Sequence, residues 1–273
     1  MLIIGEKLNG MIKETGAAIV ARDTAFIQHL AQQQAGAGAK YLDVNAVTGT
    51  GNELEDLIWL VETIQSAVDV PLCIDSADPN ALKAGVERAA LTPMVNSING
   101  DEKRLSDLLP LVAKKGSPVI ALLLNGSSIP GDVAGRMSIA RHILERTRQA
   151  GIPDQNVYLD PLVMAIGTQT EAAMLVLDTI RAIRNEFPEV KTIVGLSNIS
   201  YGLPCCPLIN QAFLAQLIAA GLHAAIFDPL DQGMINTSYA TELVLGRDRD
   251  CRNYLNAYRA GKVKLVNPEP DSK

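Results

Sequence analysis

The chain has 273 residues, 48% hydrophobic and 20% charged, with a formal net charge of −6 at pH 7. This balance suits a buried parallel sheet, and it excludes a basic surface for nucleic acid or an anionic membrane. We expect no membrane span, because no apolar run approaches the roughly 20 residues that cross a bilayer. The first strand begins at Leu2 and leaves no room for a signal peptide, so a cytoplasmic location is expected.

Eight short apolar runs alternate with helix-length segments along the chain. The runs are nearly continuous in Val, Ile and Leu, which is typical of strands buried on both faces. The predicted strands are 2–9, 41–46, 71–76, 93–99, 118–125, 157–162, 191–198 and 224–230. The predicted helices are 25–37, 53–67, 78–89, 102–115, 135–150, 170–187, one beginning near Pro207, and two over about 234–245 and 250–260.

An eightfold strand–helix repeat closes as a parallel (β/α)8 barrel, the TIM barrel. A barrel of this kind commonly has about 250 residues in one unit. No segment is rich enough in Pro, Gly or Ser to divide the chain. The sequence therefore predicts a single α/β domain over residues 1–262, followed by a loose C-terminal tail over residues 263–273.

Most of the apolar runs carry Asp or Asn at or near their carboxyl ends, where barrels of this kind bind ligands. A single Asp at such a position is equally compatible with a turn or a helix cap. Asp75, Asn96 and Asp160 end strands three, four and six, however, and are expected to face one cavity. Lys7 is the only cation at a comparable strand position, so we expect a ligand to supply the hydrogen-bond donors that these groups need.

A pterin ring supplies such donors. Its 2-amino group and N3–H form a two-donor edge that a carboxylate can accept, and its other ring nitrogens suit an amide. Charge-assisted hydrogen bonds of this kind contribute roughly 1.5–3 kcal/mol each, enough to orient the ring. The strand ends contain no His and no cysteine pair at ligand spacing, so no bound metal is expected.

An ordered set of motifs then resembles a known family. The set consists of GExxNG (5–10), LDVN (42–45), CIDS (73–76), MVNS (94–97), YLDPL (158–162), GLSNIS (195–200) and PLIN (207–210). It resembles the pterin-binding methyltransferases, which include the methyltetrahydrofolate:corrinoid protein methyltransferases and the folate domain of cobalamin-dependent methionine synthase. The resemblance covers residues 1 to about 260.

The resemblance implies an enzyme of the one-carbon methyltransferase class, usually a homodimer. Such enzymes move a methyl group between N5 of tetrahydrofolate and the cobalt of a corrinoid. Tetrahydrofolate or 5-methyltetrahydrofolate would be the substrate. The DxHxxG signature of corrinoid binding is absent, so cobalamin is expected to arrive on a separate corrinoid protein.

The resemblance also assigns roles to individual residues. Asp75, Asn96 and Asp160 match the positions that hold the pterin, and Asn198 matches the catalytic asparagine near N5. An amide can donate or accept a hydrogen bond as the charge on N5 changes, although it is a poor general acid. Water is therefore expected to carry the proton. Further cavity residues are expected at Glu6, Asn9, Asp43, Asn45, Asn125 and Ser197.

Two positions depart from the family's pattern. Gly126 follows Asn125 where the family tends to have a lysine, and Cys206 precedes Pro207 where it tends to have an arginine. The loss of two cations leaves the direction of transfer open and slightly favours transfer from methylcob(III)alamin to tetrahydrofolate in a demethylation pathway. The YGLP segment at 201–204 resembles the methionine synthase version of this loop.

Other reactive side chains have simpler interpretations. Adjacent Cys205 and Cys206 are expected to form a plain loop pair, because neighbouring cysteines chelate one metal poorly. The three histidines are expected to serve packing or surface roles on or beside helices; they are His29, His142 and His223. Lys7 is expected to pair with its neighbour Glu6 rather than to form a Schiff base.

The sequence is less compatible with three other functions. Dihydropteroate synthase shares the barrel and pterin contacts, but it has a basic Arg-x-His cluster on its last strand, which is absent from residues 224–230. A metal-dependent lyase of the enolase type needs three carboxylates on adjacent strands, whereas strands four and five end in amides. A non-catalytic folate-binding or corrinoid-docking subunit is disfavoured by the GLSNIS motif, and a methyl-transfer assay would separate it from an enzyme.

Overall fold

Eight parallel strands form a closed barrel in the computed structural model, which describes residues 1–265. Each strand is hydrogen-bonded to the next along the chain, and the last closes on the first. The strands are β1 (Leu2–Asn9), β2 (Tyr41–Asn45), β3 (Leu72–Asp75), β4 (Met94–Asn99), β5 (Val119–Leu122), β6 (Val157–Asp160), β7 (Lys191–Gly195) and β8 (Ala224–Phe227). The predicted (β/α)8 barrel is confirmed.

Helices follow the strands and cover the outside of the barrel. They are α1 (Lys13–Ala21), α2 (Thr24–Gly36), α3 (Glu53–Gln65), α4 (Pro79–Arg88), α5 (Glu102–Lys115), α6 (Val133–Gln149), α7 (Ala172–Glu186), α8 (Cys206–Ala220), α9 (Gln232–Val244) and α10 (Arg252–Arg259). Helix α1 was not predicted from the sequence, because it is short and begins without a capping side chain. Short 3₁₀ helices occupy 154–156, 196–200 and 249–251.

Four predicted strands end two or three residues earlier than the sequence suggested. β5, β6, β7 and β8 stop at residues 122, 160, 195 and 227. Asn125, Asn198 and Asp228 therefore lie in the segments that follow the strands and not within them. The apolar runs continue past the strand ends because the following turns are also partly buried, as at Leu123 and Leu196.

The two-residue period of the strands divides the barrel interior into two zones. A buried apolar cluster fills the lower part of the lumen and contains Ile4, Cys73, Met94, Ile120, Tyr158, Ile193 and Ala224. Side chains two residues apart on a strand point to the same side, so the residues two positions after Cys73, Met94 and Tyr158 also point into the barrel. Those positions are Asp75, Asn96 and Asp160. The apolar cluster thus forms the floor of a polar site.

Irregular pairing in β1 and β4 affects the same level of the barrel. The β1–β2 register shifts between Gly5 and Leu8, and the backbone N–H of Lys7 donates to Gln34 Oε1 at 3.0 Å instead of extending the ladder. The β4–β5 register shifts between Asn96 and Ile98. Such bulges re-aim side chains near binding sites, and here both lie beside predicted site residues.

Aspartates cap five of the helices. Asp23, Asp78, Asp101, Asp132 and Asp231 each accept a backbone N–H in the first turn of the helix that follows. Such caps contribute about 1 kcal/mol each. Capping therefore accounts for a group of aspartates distinct from those at the strand ends.

The predicted loose tail begins with two anchored residues. The Val263 side chain is 6% exposed. Asn236 on α9 donates through Nδ2 to the Lys264 carbonyl at 2.7 Å and accepts from the Lys264 N–H at 3.2 Å. Residues 266–273 lie outside the described part of the chain. Within residues 1–265, the helices are too short or too polar to span a bilayer.

We predict that Gly16→Ala destabilises the protein by about 1–3 kcal/mol. A Cβ at Gly16, in α1, would overlap the carbonyl oxygen of Gly10, so the turn after β1 would have to move. Gly36→Ala is the matched control, because a Cβ there meets nothing within 4 Å and a helical Gly→Ala change is expected to be neutral or slightly stabilising. Urea unfolding measures both, and equal stabilities of the two variants would contradict the packing argument.

Candidate functional site

A layer of acids and amides lies above the apolar floor of the barrel. It contains Glu6 from β1, Asp43 and Asn45 from β2, Asp75 from β3, Asn96 from β4 and Asp160 from β6. Asp43, Asn45 and Asp160 are at most 9% exposed. The closed barrel brings these residues of the predicted site into one polar layer.

Two side chains of β2 form hydrogen bonds that orient one side chain on β3 and one on β4. Asn45 donates through Nδ2 to Asp75 Oδ2 at 2.9 Å and accepts from the Val47 N–H through Oδ1, so both ends of its amide are bound. Asn96 donates through Nδ2 to Asp43 Oδ1 at 3.1 Å. This bond turns the amide of Asn96 so that its Oδ1 is left to accept a donor from the cavity.

Asp160 has one oxygen bound and one available. Its Oδ1 accepts the Leu162 N–H at 2.7 Å, and Leu162 adopts a left-handed backbone conformation with φ 65°. Among the described residues no side chain donates to its Oδ2. The turn after β6 thus holds the carboxylate in place while leaving it an acceptor for a ligand.

Glu6 and Lys7 find separate partners. Ser197 donates through Oγ to both carboxylate oxygens of Glu6, at 2.9 and 3.0 Å. Lys7 Nζ lies 3.4 Å from Asp228 Oδ2, just after β8. The predicted Glu6–Lys7 ion pair is therefore wrong, because Glu6 binds a residue that follows β7 and Lys7 binds a residue that follows β8.

Two arginines that were not predicted as site residues also lie beside the polar layer. Arg104, in the first turn of α5, donates to the carbonyl oxygens of Ser97, Ala77 and Ser76 and ties two mouth loops together. Arg136, in the first turn of α6, has a side chain that is 1% exposed. Lys7 is the cation expected at a strand position, and these two arginines add positive charge from the first turns of helices.

Burial controls the protonation of the acidic residues. It raises the pKa of Glu6 to about 7 and that of Asp160 to about 7. Burial, together with the charge of Asp75, raises the pKa of Asp43, and burial also raises that of Asp75. Carboxyl groups in this layer therefore retain protons near neutral pH until a ligand supplies donors.

Asn198 lies at the open side of the site. It is exposed, in the 3₁₀ helix at 196–200 that follows β7, directly after Ser197. Its backbone carbonyl accepts the Tyr201 N–H, and its side-chain Nδ2 lies 3.3 Å from the point where a Cβ of Gly195 would stand. The glycine makes room for this amide.

Asn9 and Asn125 have local roles in turns. The Met11 N–H donates to Asn9 Oδ1 at 2.9 Å. Asn125 forms paired backbone hydrogen bonds with Ser128 and lies with Asp101 and His142 beside a separate cavity of about 500 Å³ at the rim. Neither side chain is bonded to the polar layer in the described structure.

The histidines and the cysteine pair lie away from the layer. His223 accepts the Thr192 N–H through Nδ1 just before β8, and burial lowers its pKa to about 4. His142 pairs with Glu102, and His29 is exposed. The Cys206 thiol donates to the Leu203 carbonyl at 3.0 Å. Residues 1–265 contain no group of three or more His, Cys, Asp or Glu side chains placed to hold a metal ion.

Comparisons with known proteins identify the family of this chain. The model of the family described as pterin binding enzyme matches residues 15–228. The chain belongs to the pterin-binding enzyme family. It is 38% identical over 268 residues to the methylcorrinoid:tetrahydrofolate methyltransferase of Eubacterium limosum, covering 97% of this chain and 99% of that protein.

Two further similar proteins are more distant from this chain. Methionine synthase of Mycobacterium tuberculosis is 31% identical over 240 residues, which cover 83% of this chain but 20% of that protein. Dihydropteroate synthase of Yersinia pestis, solved with a pterin–sulfa conjugate, superposes with a TM-score of 0.67 over 90% of this chain and 93% of that chain, at 20% identity. This last likeness concerns the fold alone.

We predict that the free protein loses stability as pH rises from 5 to 8.5. Glu6 has a folded-state pKa above its ordinary value, so its stabilising contribution is full below about pH 4.5 and is lost as pH rises through about 7. A shift of this size corresponds to about 2 kcal/mol between pH 5 and 8.5. Glu6→Gln is expected to reduce the change in the free energy of unfolding between pH 5 and 8.5 by that amount. The control Glu189→Gln, at an exposed position, is expected to leave that change as it is in the wild type. Parallel curves for wild type and Glu6→Gln in urea unfolding would show that Glu6 is not protonated on folding.

Proposed function

We propose that this protein transfers a methyl group between the cobalt of a protein-bound corrinoid and N5 of tetrahydrofolate. The single observation that carries the proposal is the layer of buried acids whose free acceptors lack donors within the described chain. The methylcorrinoid:tetrahydrofolate methyltransferase of Eubacterium limosum, aligned over nearly the full length of both chains, supports this choice within the family.

In the proposed complex, the pterin ring lies on the apolar floor with its edge against the polar layer. Asp160 accepts from the 2-amino and N3–H donors, since its Oδ2 is unoccupied and its Oδ1 is fixed by the turn. Asp75 and Asn96 accept further donors of the ring, held in orientation by Asn45 and Asp43. Burial strengthens each of these bonds by excluding water.

Asn198 acts at the other side of the ring. Its exposed amide lies at the open end of the barrel, where a corrinoid can approach. As the bond between N5 and the methyl group forms or breaks, the charge on N5 changes, and an amide can follow it with either its N–H or its carbonyl oxygen. The amide stabilises the transition state, and water carries the proton.

The corrinoid is supplied by a separate protein in this proposal. The sequence has no DxHxxG signature, and the polar layer is shaped for hydrogen bonds to a flat heterocycle. The preferred direction is from methylcob(III)alamin to tetrahydrofolate, the direction in the printed name of the Eubacterium limosum relative. A homodimer is part of the proposal on the basis of family resemblance.

Dihydropteroate synthase chemistry is a weaker candidate. The segment that ends β8 is acidic at Asp228, which is bound to Lys7. A basic cluster for a pyrophosphate leaving group is therefore missing from this strand end. A non-catalytic folate-binding subunit would share the pterin contacts but would not need an amide beside N5.

We predict that Asp160→Ala raises the dissociation constant of 5-methyltetrahydrofolate with little effect on the rate at saturation. The carboxylate is proposed to bind the donor edge far from N5, equally in ground and transition states. Its loss is expected to cost about 2 kcal/mol. Asp231→Asn, at the cap of α9, is the control, because Asp231 binds only its own helix. Calorimetry gives the dissociation constants, and an unchanged value in Asp160→Ala would remove this residue from the site.

We predict the opposite pattern for Asn198→Ala. The rate of methyl transfer at saturation is expected to fall roughly a hundredfold, by analogy with the loss of one transition-state donor, while folate affinity stays nearly unchanged. Asn52→Ala, an exposed amide before α3, is the control. Single-turnover transfer with free methylcobalamin or cob(I)alamin is followed by corrinoid absorbance. If Asn198→Ala keeps the wild-type rates in both directions, Asn198 has only a structural role in the turn and no role in catalysis.

A further inference from the structure

The buried guanidinium of Arg136 lacks a full set of partners. Arg136 is the fourth residue of α6, and its side chain is 1% exposed. Its Nε donates to the Pro130 carbonyl at 3.2 Å, whereas its Nη1 is buried without a hydrogen-bond partner. A buried, incompletely bonded guanidinium is costly. Its presence therefore requires an opposite charge or a ligand nearby.

Asp160 provides that opposite charge. Burial raises the pKa of the Asp160 carboxyl, and the positive charge of Arg136 lowers that pKa in part. The other charge beside Arg136 is Asp132, the exposed cap of α6. On the remaining flanking elements, Lys191 lies at the base of β7, where it donates to the Tyr158 hydroxyl, and Glu171 is exposed before α7.

We propose that Arg136 is a positioning residue that favours the ionised form of Asp160 for the donor edge of the pterin, with its free Nη1 bonded to that carboxylate through a bridging water. The inference rests on the proposed function, since it concerns the group that would hold the pterin. Arg136 itself does not touch the reacting atoms.

The positive charge of Arg136 counteracts the effect of burial on the ionisation of Asp160. A carboxylate must be ionised to accept both donors of the pterin edge, but burial alone favours the protonated form, and the pKa of Asp160 is about 7. Removing the positive charge raises that pKa further. Folate affinity then requires a higher pH, but it is recovered once Asp160 ionises.

The test is the affinity for 5-methyltetrahydrofolate as a function of pH, from 6 to 9, in wild type and Arg136→Met. The midpoint for the rise in affinity is expected to move up by about one pH unit in the variant. Affinity is thus expected to fall about fivefold at pH 7, where about half of the Asp160 carboxyl groups are ionised in the wild type, and to return close to the wild-type value at pH 9. Arg136→Lys, which keeps the charge, is expected to retain the wild-type midpoint.

The matched control is to make the Arg136→Met substitution in the Asp160→Asn variant. With a neutral amide at position 160, adding Arg136→Met is expected to produce no further pH-dependent loss. A loss of affinity in Arg136→Met that is equal at all pH values, or that persists in the Asp160→Asn background, overturns the proposal and leaves Arg136 a packing residue. Failure of the wild type to bind 5-methyltetrahydrofolate at any pH would instead contradict the proposed function.

A second variant covers the case in which Arg136→Met does not fold. Asp132→Asn retains a capping oxygen for the Gly135 N–H and removes the anion that competes for Arg136. The midpoint is then expected to move down by a few tenths of a pH unit, opposite to the effect of Arg136→Met. An unchanged or raised midpoint in Asp132→Asn contradicts the charge coupling.

Discussion

The cost of burying carboxyl groups above an apolar floor is the constraint on which the rest of this site depends. A buried carboxylate must be paired, hydrogen-bonded or protonated. In this barrel the inward positions change from apolar to acidic within two residues, as from Tyr158 to Asp160 and from Cys73 to Asp75. Amides, a backbone N–H and two helix-borne arginines each offset part of the cost, and bound protons offset the remainder.

This incomplete compensation gives the site its selectivity. A ligand that brings two or more adjacent N–H donors lets the buried acids ionise and offsets the cost of their desolvation, whereas a ligand with only acceptors could be bound only while the acids keep their protons. Asp43 and Asn45 contribute by fixing the orientation of Asn96 and Asp75 before the ligand arrives. Pre-orientation of this kind reduces the entropy lost on binding.

The fold and the strand-borne part of the site could be predicted from the sequence, because both follow from period-two patterning and from where parallel strands end. Asp75, Asn96 and Asp160 are examples. The partners of Glu6 and Lys7 could not be predicted, because they depend on the β1 bulge and on how β8 closes against β1. Arg104 and Arg136 were missed because ordinary helical positions give no signal until α5 and α6 are placed over the mouth.

If ligand donors replace protons on the buried acids, binding of folate must release protons into solution. Calorimetric titration of tetrahydrofolate at pH 6.5, in buffers with different enthalpies of ionisation, gives the number of protons exchanged. We expect release of about one proton per folate near pH 6.5, falling toward zero by pH 9, where the acids are already ionised before folate binds. Binding with no proton release, or with proton uptake, across this range would contradict it.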